Sequence, residues 1–135
     1  MNGTFDKFRD SVVRVHEELK RIEIAHALLS EDISELEKLG VVNATPQYKN
    51  EKYLYLVHPF GAYQRKNKKT GEMEDYRKHE YIGRDKEKIA DAYAKVARYD
   101  QWRKLTAERS ELEDRISGLN VRISSVLSEL SWIKK

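Results

Sequence analysis

Apolar residues recur at alternating steps of three and four along the first third of the chain. This repeat places its members on one face of an α-helix and is typical of a coiled coil. Asn2 and Thr4 are both suitable caps for the start, and Gly40 indicates the end, so a helix is predicted over residues 4–39. The repeat, called the first seam below, consists of Phe5, Phe8, Val12, Val15, Leu19, Ile22, His26, Leu29, Ile33 and Leu36.

A second seam follows Asp85, which is a suitable N-cap, and predicts a helix over residues 85–135. Each seam has a lone polar position, His26 in the first and Arg109 in the second. Such a residue usually sets register and partner choice at some cost in stability. The alternative is a pH-sensitive contact, because histidine titrates near neutral pH. The clearest part of the second seam consists of Leu105, Arg109, Leu112, Ile116, Leu119, Ile123, Val126, Leu130 and Ile133.

Over residues 41–84 the helical period disappears, and Pro and Gly punctuate the chain. Lys52–His58 and Glu74–Ile82 are rich in aromatic and β-branched residues and are predicted to be strands. Ala62–Lys66 is a further candidate strand, and Asn67–Gly71 has the composition of a hairpin turn. We therefore expect an insert of two or three antiparallel strands.

Two helices that flank a compact insert are expected to run antiparallel, because the ends of the insert must meet. With 36% charged and 39% hydrophobic residues, the chain favours a narrow apolar seam over a globular core. The predicted fold class is mainly α: one elongated domain over residues 1–135, in which a long antiparallel coiled-coil helical hairpin carries a small antiparallel β-rich insert at its tip. Two helices alone leave apolar surface exposed, so we expect a homodimer.

Charge is unevenly distributed along the chain, with −3 over residues 4–39 and +3 over each of 40–85 and 86–135. In the insert, cations interleave with aromatic residues, a mixture that suits nucleic acid because cations contact phosphates and rings stack on bases. The opposing interpretation is that the tyrosines cover the end of the hairpin and the basic turn is a solvated loop, with nearby acids repelling phosphate. The predicted binding residues are Lys52, Tyr63, Arg65, Lys66, Lys68, Lys69, Tyr76, Arg77, Lys78, His79 and Arg84.

The sequence offers little for catalysis. It has no cysteine, which excludes disulfides and thiol chemistry. His58, His79 and Glu80 lie on the predicted strands without a spaced ligand motif, so no metal site is expected. Many serines lie in the second helix, outside any nucleophile turn, and no Gly-rich phosphate loop is present. We predict a non-enzymatic protein without a cofactor.

The location of the protein is predicted from two absences. No apolar run approaches the ~20 residues that a membrane-spanning helix needs. The N-terminus also lacks the cationic start and apolar stretch of a signal peptide. We expect a cytoplasmic protein that does not associate with membranes.

The segments Tyr53–Val57 (YLYLV) and Tyr76–Asp85 (YRKHEYIGRD), followed by a charged helix, resemble small proteins of phages, plasmids and other mobile elements. In those proteins a basic β-hairpin ending in Tyr-Ile-Gly-Arg or a close variant precedes a coiled coil, and similar endings occur near the N-termini of some transposases and recombinases. The resemblance implies a mobile-element context and a link to nucleic acid. The helical plan also resembles the transfer-RNA-binding arm of seryl-tRNA synthetase, in architecture alone.

Two functions are compatible with these patterns. The first is a non-enzymatic nucleic-acid-binding accessory protein that binds through the basic aromatic insert and dimerises through its coiled coil. The second is a protein-binding inhibitor or adaptor, for example a phage-encoded anti-defence protein, that docks on a host protein complex. The basic cluster Arg65–Lys69 and the interleaved aromatic residues support the first function, and the segregation of charge along the chain and its small size support the second.

Overall fold

The structure is a computed structural model that describes residues 3–132. Two residues assigned above, Asn2 as a cap and Ile133 in the second seam, lie outside this range. Of the described residues 64% are helical, in two helices that flank a small antiparallel β region, which confirms the mainly α class with a β insert. The elements are α1 Thr4–Leu39, β1 Thr45–Lys49, β2 Tyr53–Val57, β3 Tyr63–Lys66, β4 Met73–Tyr76, β5 His79–Gly83 and α2 Lys86–Trp132.

The C-terminus of α1 ends as the sequence predicts. Gly40 has a φ of +98°, which a glycine adopts without strain, and its N–H donates to the carbonyl of Leu36 at 3.0 Å. The guanidinium of Arg98 donates to the carbonyls of Leu39 and Gly40 at 2.9 and 2.8 Å. These bonds satisfy carbonyls that a helix leaves without intrahelical donors.

The helix starts show one agreement and one difference. Asp85 caps α2, because its Oδ1 accepts the N–H of Glu87 at 2.9 Å. Thr4, by contrast, is already helical, and the cap position of α1 is occupied by Gly3. The carboxylate of Asp6 accepts the N–H of Gly3 at 3.4 Å, so the first turn supplies its own acceptor.

The β region has five strands instead of two or three. β1, β2 and β5 form an antiparallel sheet with β2 in the centre, and β3 and β4 form a separate two-stranded ribbon. The sequence pattern missed β1 because Pro46 argues against a strand. Since β1 lies at the edge of its sheet, the missing N–H of Pro46 is tolerated there.

The prediction of one strand over Glu74–Ile82 was wrong. The chain changes partner at Arg77 and Lys78, so that β4 pairs with β3 and β5 pairs with β2. The N–H of His58 donates to the carbonyl of Lys78 at 2.8 Å, which holds this crossing point beside the end of β2. Burial still alternates from Tyr76 to Ile82, which explains why the pattern resembled one strand.

The chain falls into two compact units. Met1–Ser34 with Lys104–Lys135 is called the helical unit, and Glu35–Arg103 the mixed unit. In the mixed unit, Leu54 and Leu56 of β2 and Ala92 of α2 are buried together, and burial alternates along β2. The partly buried residues around them are Val42, Ala44, Ile82, Ile89 and Val96.

The side chains of Tyr48 in β1 and Tyr93 in α2 form a hydrogen bond within the mixed unit. A hydrogen bond with Tyr48 raises the pKa of Tyr93 above its ordinary value of 10.0. Partial burial and repulsion from the Tyr48 phenolate raise the pKa of Tyr93 further.

In the helical unit, the two polar seam residues belong to one network. His26 Nε2 lies 3.0 Å from Glu113 Oε1, and Arg109 reaches both Glu113 at 3.8 Å and the hydroxyl of Ser30 at 3.5 Å. Within this unit, His26 of α1 faces Glu113 of α2, and Ser30, further along α1, faces Arg109, which comes earlier in α2. The two helical segments therefore run in opposite directions. A coiled coil along the full helices stays a prediction.

The apolar seams of the helical unit are only partly covered within one chain. Leu19 remains 39% exposed and Leu119 41%, while Phe8 and Val12 are exposed to about half. Leu29 and Leu112 are half-buried. Within the described part of α1, Ile33 alone is fully buried. Neither described helix has a stretch that is long and apolar enough to span a lipid bilayer.

Candidate functional site

The predicted binding residues centre on a two-stranded ribbon, defined as Tyr63–Tyr76. Tyr63 pairs with Tyr76 and Arg65 with Glu74 across β3 and β4. Because side chains alternate along a strand, these four residues share one face of the ribbon. The opposite face carries Gln64, Lys66, Met73 and Asp75.

The turn of the ribbon is held by Asn67 and Gly71, as the sequence predicts. Asn67 Oδ1 accepts the N–H of Lys69 at 2.8 Å and that of Thr70 at 3.3 Å. The N–H of Gly71 donates to the carbonyl of Asn67 at 2.8 Å, and Gly71 has a φ of +74°. The side chains of Lys68 and Lys69 take no part in this arrangement, so the turn does not depend on them.

Two of the acids beside the basic cluster, Glu74 and Asp75, are engaged by ribbon side chains. Glu74 accepts from Arg65 Nε at 3.2 Å and from Asn67 Nδ2 at 3.1 Å. Gln64 donates to Asp75 at 3.0 Å. These bonds place a cation beside Glu74 and so reduce the repulsion that this carboxylate exerts on a phosphate. They also occupy Arg65, which is therefore less available to a ligand than the sequence suggests.

Three cations remain at the end of the ribbon: Lys66, Lys68 and Lys69, called the tip lysines below. All three are exposed, and none forms an ion pair with a carboxylate of residues 3–132. Their ammonium groups therefore face solvent on a turn whose backbone is fixed. This arrangement suits contact with an anionic polymer.

The two ribbon tyrosines are less open than predicted. Lys78 Nζ lies 4.3 Å from the centroid of the Tyr63 ring, and the guanidinium of Arg65 lies 4.9 Å from that of Tyr76. His58 also contacts Tyr63 edge to face, with ring centroids 5.0 Å apart. One face of each tyrosine is thus already occupied by a cation, which limits base stacking there.

A second aromatic surface lies on the outer side of the three-stranded sheet. Tyr53 and Tyr55 of β2 lie 6.4 and 5.2 Å from Tyr81 of β5, measured between ring centroids, and Lys49 lies 4.3 Å from the centre of the Tyr55 ring. These three tyrosines are called the tyrosine face. Alternation along β2 predicts Tyr53 and Tyr55 on one side, but Tyr81 joins them only through the β2–β5 register.

The remaining predicted residues are spread over the mixed unit. Lys52, Arg77, His79 and Arg84 are all exposed, whereas Lys78 is half-buried over Tyr63. Arg77 lines a cavity of about 600 Å³ together with Phe60, Gln47 and Asn43 among others. Phe60 is 64% exposed and was missed, because a single aromatic residue after a proline carries no periodic signal.

His58 is buried and its Nε2 lies 2.9 Å from Glu80 Oε1, which ties the end of β2 to β5. Across residues 3–132, no group of three or more His, Asp or Glu side chains is placed to hold a metal ion. The contact with Glu80 gives the ring nitrogen of the buried His58 a hydrogen-bond partner, which is a structural role.

Comparison with protein families, with curated proteins and with solved structures finds no match for this chain. The resemblance of Tyr76–Asp85 to proteins of mobile elements therefore stays a prediction.

Proposed function

We propose that this protein binds nucleic acid without enzymatic activity and contacts phosphates through the tip lysines of its ribbon. One observation carries the proposal: Lys66 at the end of β3 and Lys68 and Lys69 in the turn that follows are all exposed. The neighbouring acids Glu74 and Asp75 are hydrogen-bonded to Arg65, Asn67 and Gln64. The mobile-element setting implied by the sequence resemblance is part of this proposal.

The distribution of charge between the units supports the same surface. The mixed unit, Glu35–Arg103, contains fifteen Lys and Arg against eleven Asp and Glu, a net +4, whereas the helical unit contains eleven against twelve, a net −1. Phosphate attraction is therefore expected from the mixed unit. The coiled coil predicted from the seams serves as its scaffold in this proposal.

The tyrosine face extends the proposal to single strands. Tyr81 is 59% exposed beside Tyr53, and within residues 3–132 no cation lies over either of these two rings. Lys49 lies over the third ring, that of Tyr55, and places a cation beside this surface. Unpaired bases stack on such rings, and their phosphates are neutralised by nearby cations. Duplex nucleic acid does not expose the faces of its bases and is expected to use the tip lysines alone.

The proposal is tested by titrating duplex DNA, single-stranded DNA and RNA into the protein at several salt concentrations, with fluorescence anisotropy as the readout. Changing Lys66, Lys68 and Lys69 together to Ala should weaken duplex binding. The slope of log affinity against log salt should fall by about 0.9 per lost contact, or about 2.7 in all. Circular dichroism should be unchanged, because the turn is held by Asn67 and Gly71.

The matched control is the triple change of Lys7, Lys20 and Lys104 to Ala, which removes the same charge from exposed positions of the helical unit. It should leave the slope close to that of the wild type. An equal loss in the control would show that net charge, and not the ribbon, attracts the ligand. If the wild-type protein binds no nucleic acid in a salt-dependent way, the proposal fails and the inhibitor or adaptor hypothesis becomes the leading one.

The tyrosine face is tested separately on single strands. Tyr81→Ala should cost about 1–3 kcal/mol of binding free energy, whereas Tyr81→Phe, which keeps the ring, should bind nearly as the wild type does. Duplex affinity should be similar for both variants. If Tyr63→Ala and Tyr76→Ala lower single-strand affinity and Tyr81→Ala does not, the bases stack on the ribbon tyrosines and not on the tyrosine face.

A further inference from the structure

An open apolar groove of about 830 Å³ lies between α1 and α2 within the helical unit. All seven apolar residues that line it belong to the two predicted seams, so the seams border an open space instead of closing on each other. The groove residues used below are Arg14, Glu18, Leu19, Ser117, Arg122 and Ile123.

The apolar stripe that contains this groove is large enough for a stable interface. From Phe5 to Leu19 on α1 and from Leu119 to Leu130 on α2, its seam residues are between 39% and 80% exposed. Together they offer on the order of 800 Å² of surface, which matches the area of about 800 Å² that each partner contributes to a standard protein interface. Monomeric proteins rarely leave a patch of this size uncovered.

The charges beside the groove are of both signs. Arg14 and Arg122 line it together with Glu18. Glu18 also contacts Arg21 at 3.1 Å, an exposed pair that contributes little and exchanges readily. A two-fold axis that crosses α1 near residue 16 would bring Arg14 of one copy towards Glu18 of the other, and the same pair would then form a second time across the interface. On that axis the apolar faces of the two copies meet each other and two pairs of opposite charge form beside them.

We propose that the groove is covered by the same groove of a second copy of this chain, so that α1 and α2 of two chains form a four-helix arrangement. Seam positions that are about half exposed in one chain then become buried. This inference concerns the helical unit and is independent of nucleic-acid binding by the mixed unit.

The first test is the mass of the full chain in solution over the micromolar range, measured by light scattering. We expect twice the chain mass of 15.9 kDa. Leu19→Asp and Ile123→Asp, each of which places a charge in the groove, should weaken association about a hundredfold. Ile24→Asp and Val121→Asp are matched controls, because both residues are exposed on the same helices outside the groove and should leave the dimer intact.

The second test is a charge exchange that separates pairing from folding. Arg14→Glu alone should weaken association about tenfold, because two like charges then face each other twice in the interface. The double variant Arg14→Glu with Glu18→Arg should restore it, since each new pair is again of opposite sign. A double variant no stronger than the single one overturns the proposal.

The third test does not depend on variants that disturb the seam. The chain has no cysteine, so Ser117→Cys in the groove and Ser110→Cys outside it each introduce a unique thiol. Labelling of the groove thiol should slow as protein concentration rises, and labelling of the other should not. A monomeric wild-type chain, equal dissociation by the control variants, or equal labelling of the two thiols overturns the proposal.

Discussion

Asn50 and Glu51, in the turn between β1 and β2, both adopt left-handed backbone conformations, with φ of 56° and 60°. The N–H of Lys52 faces the carbonyl of Lys49 at 3.4 Å across this turn. Two consecutive positive φ values are typical of a type I′ turn, which suits the twist of a hairpin and favours Asn followed by Gly. Asn50 matches this preference and Glu51 does not.

Glu51→Gly should therefore stabilise the protein. The left-handed conformation costs a non-glycine residue about 1–2 kcal/mol, and glycine loses about 0.5–1 kcal/mol of this gain through its more flexible unfolded state. A net increase of about 0.5–1 kcal/mol in the free energy of unfolding is expected, measured by urea denaturation. Glu51→Ala removes the same carboxylate without relieving the strain, so stabilisation by Ala as well would contradict this explanation.

The polar residues of the seams show how far single positions could be predicted. His26 and Arg109 were identified because each interrupts an apolar repeat. Glu113, which contacts both, lies outside the repeat. Its role could not be predicted without knowing which residues of α1 and α2 face each other.

Among the elements, the starts of both helices and the end of α1 were predicted almost to the residue, because a repeat of three and four is local and long. The strands were predicted less well, since each is at most five residues and its partner determines where it ends. β2 was found because it alternates between buried and half-buried residues. β1 was hidden by Pro46, and the β4–β5 boundary by an alternation that continues through the change of partner.

The same limit applies to the candidate site. The tip lysines and the Asn67–Gly71 turn are neighbours in sequence, so they could be read directly. The engagement of Glu74 and Asp75 depends on the β3–β4 register, and the tyrosine face depends on the β2–β5 register. Neither register follows from composition alone.

Burial predicts that leucines of different elements contribute unequally to stability. Leu56 of β2 is 2% exposed in the mixed unit, whereas Leu19 of α1 is 39% exposed within one chain. Leu56→Ala should lower the free energy of unfolding by about 2–5 kcal/mol, and Leu19→Ala by about 1 kcal/mol under dilute conditions. Denaturation of both variants at low and high protein concentration checks this. Equal losses at low concentration would contradict the burial of β2 as the main source of stability.

At the scale of the molecule, both helices contribute to both units, but the cluster of Leu54, Leu56 and Ala92 lies wholly within Glu35–Arg103. This unit contains its own apolar core and all five strands. Its small size makes its stability marginal, since a short chain buries a smaller fraction of its surface.

A fragment covering residues 35–103 is nevertheless expected to fold and to remain monomeric. Circular dichroism should show helix and strand with a cooperative thermal transition, and light scattering should give the mass of one fragment. Because the fragment keeps one set of tip lysines, it should still bind duplex DNA in a salt-dependent way, at a lower affinity than the full chain. A fragment that shows no cooperative transition would indicate that the core requires the helical unit.

Pro46 also has a consequence for how the protein behaves at high concentration. It lies in β1, an edge strand of the three-stranded sheet. The unpaired backbone groups of an edge strand offer a template to which further strands can add. A proline in such a strand offers an approaching strand no amide donor and so interrupts the ladder that fibrils extend. The residue that concealed β1 in the sequence thus protects the folded protein from aggregation along that edge.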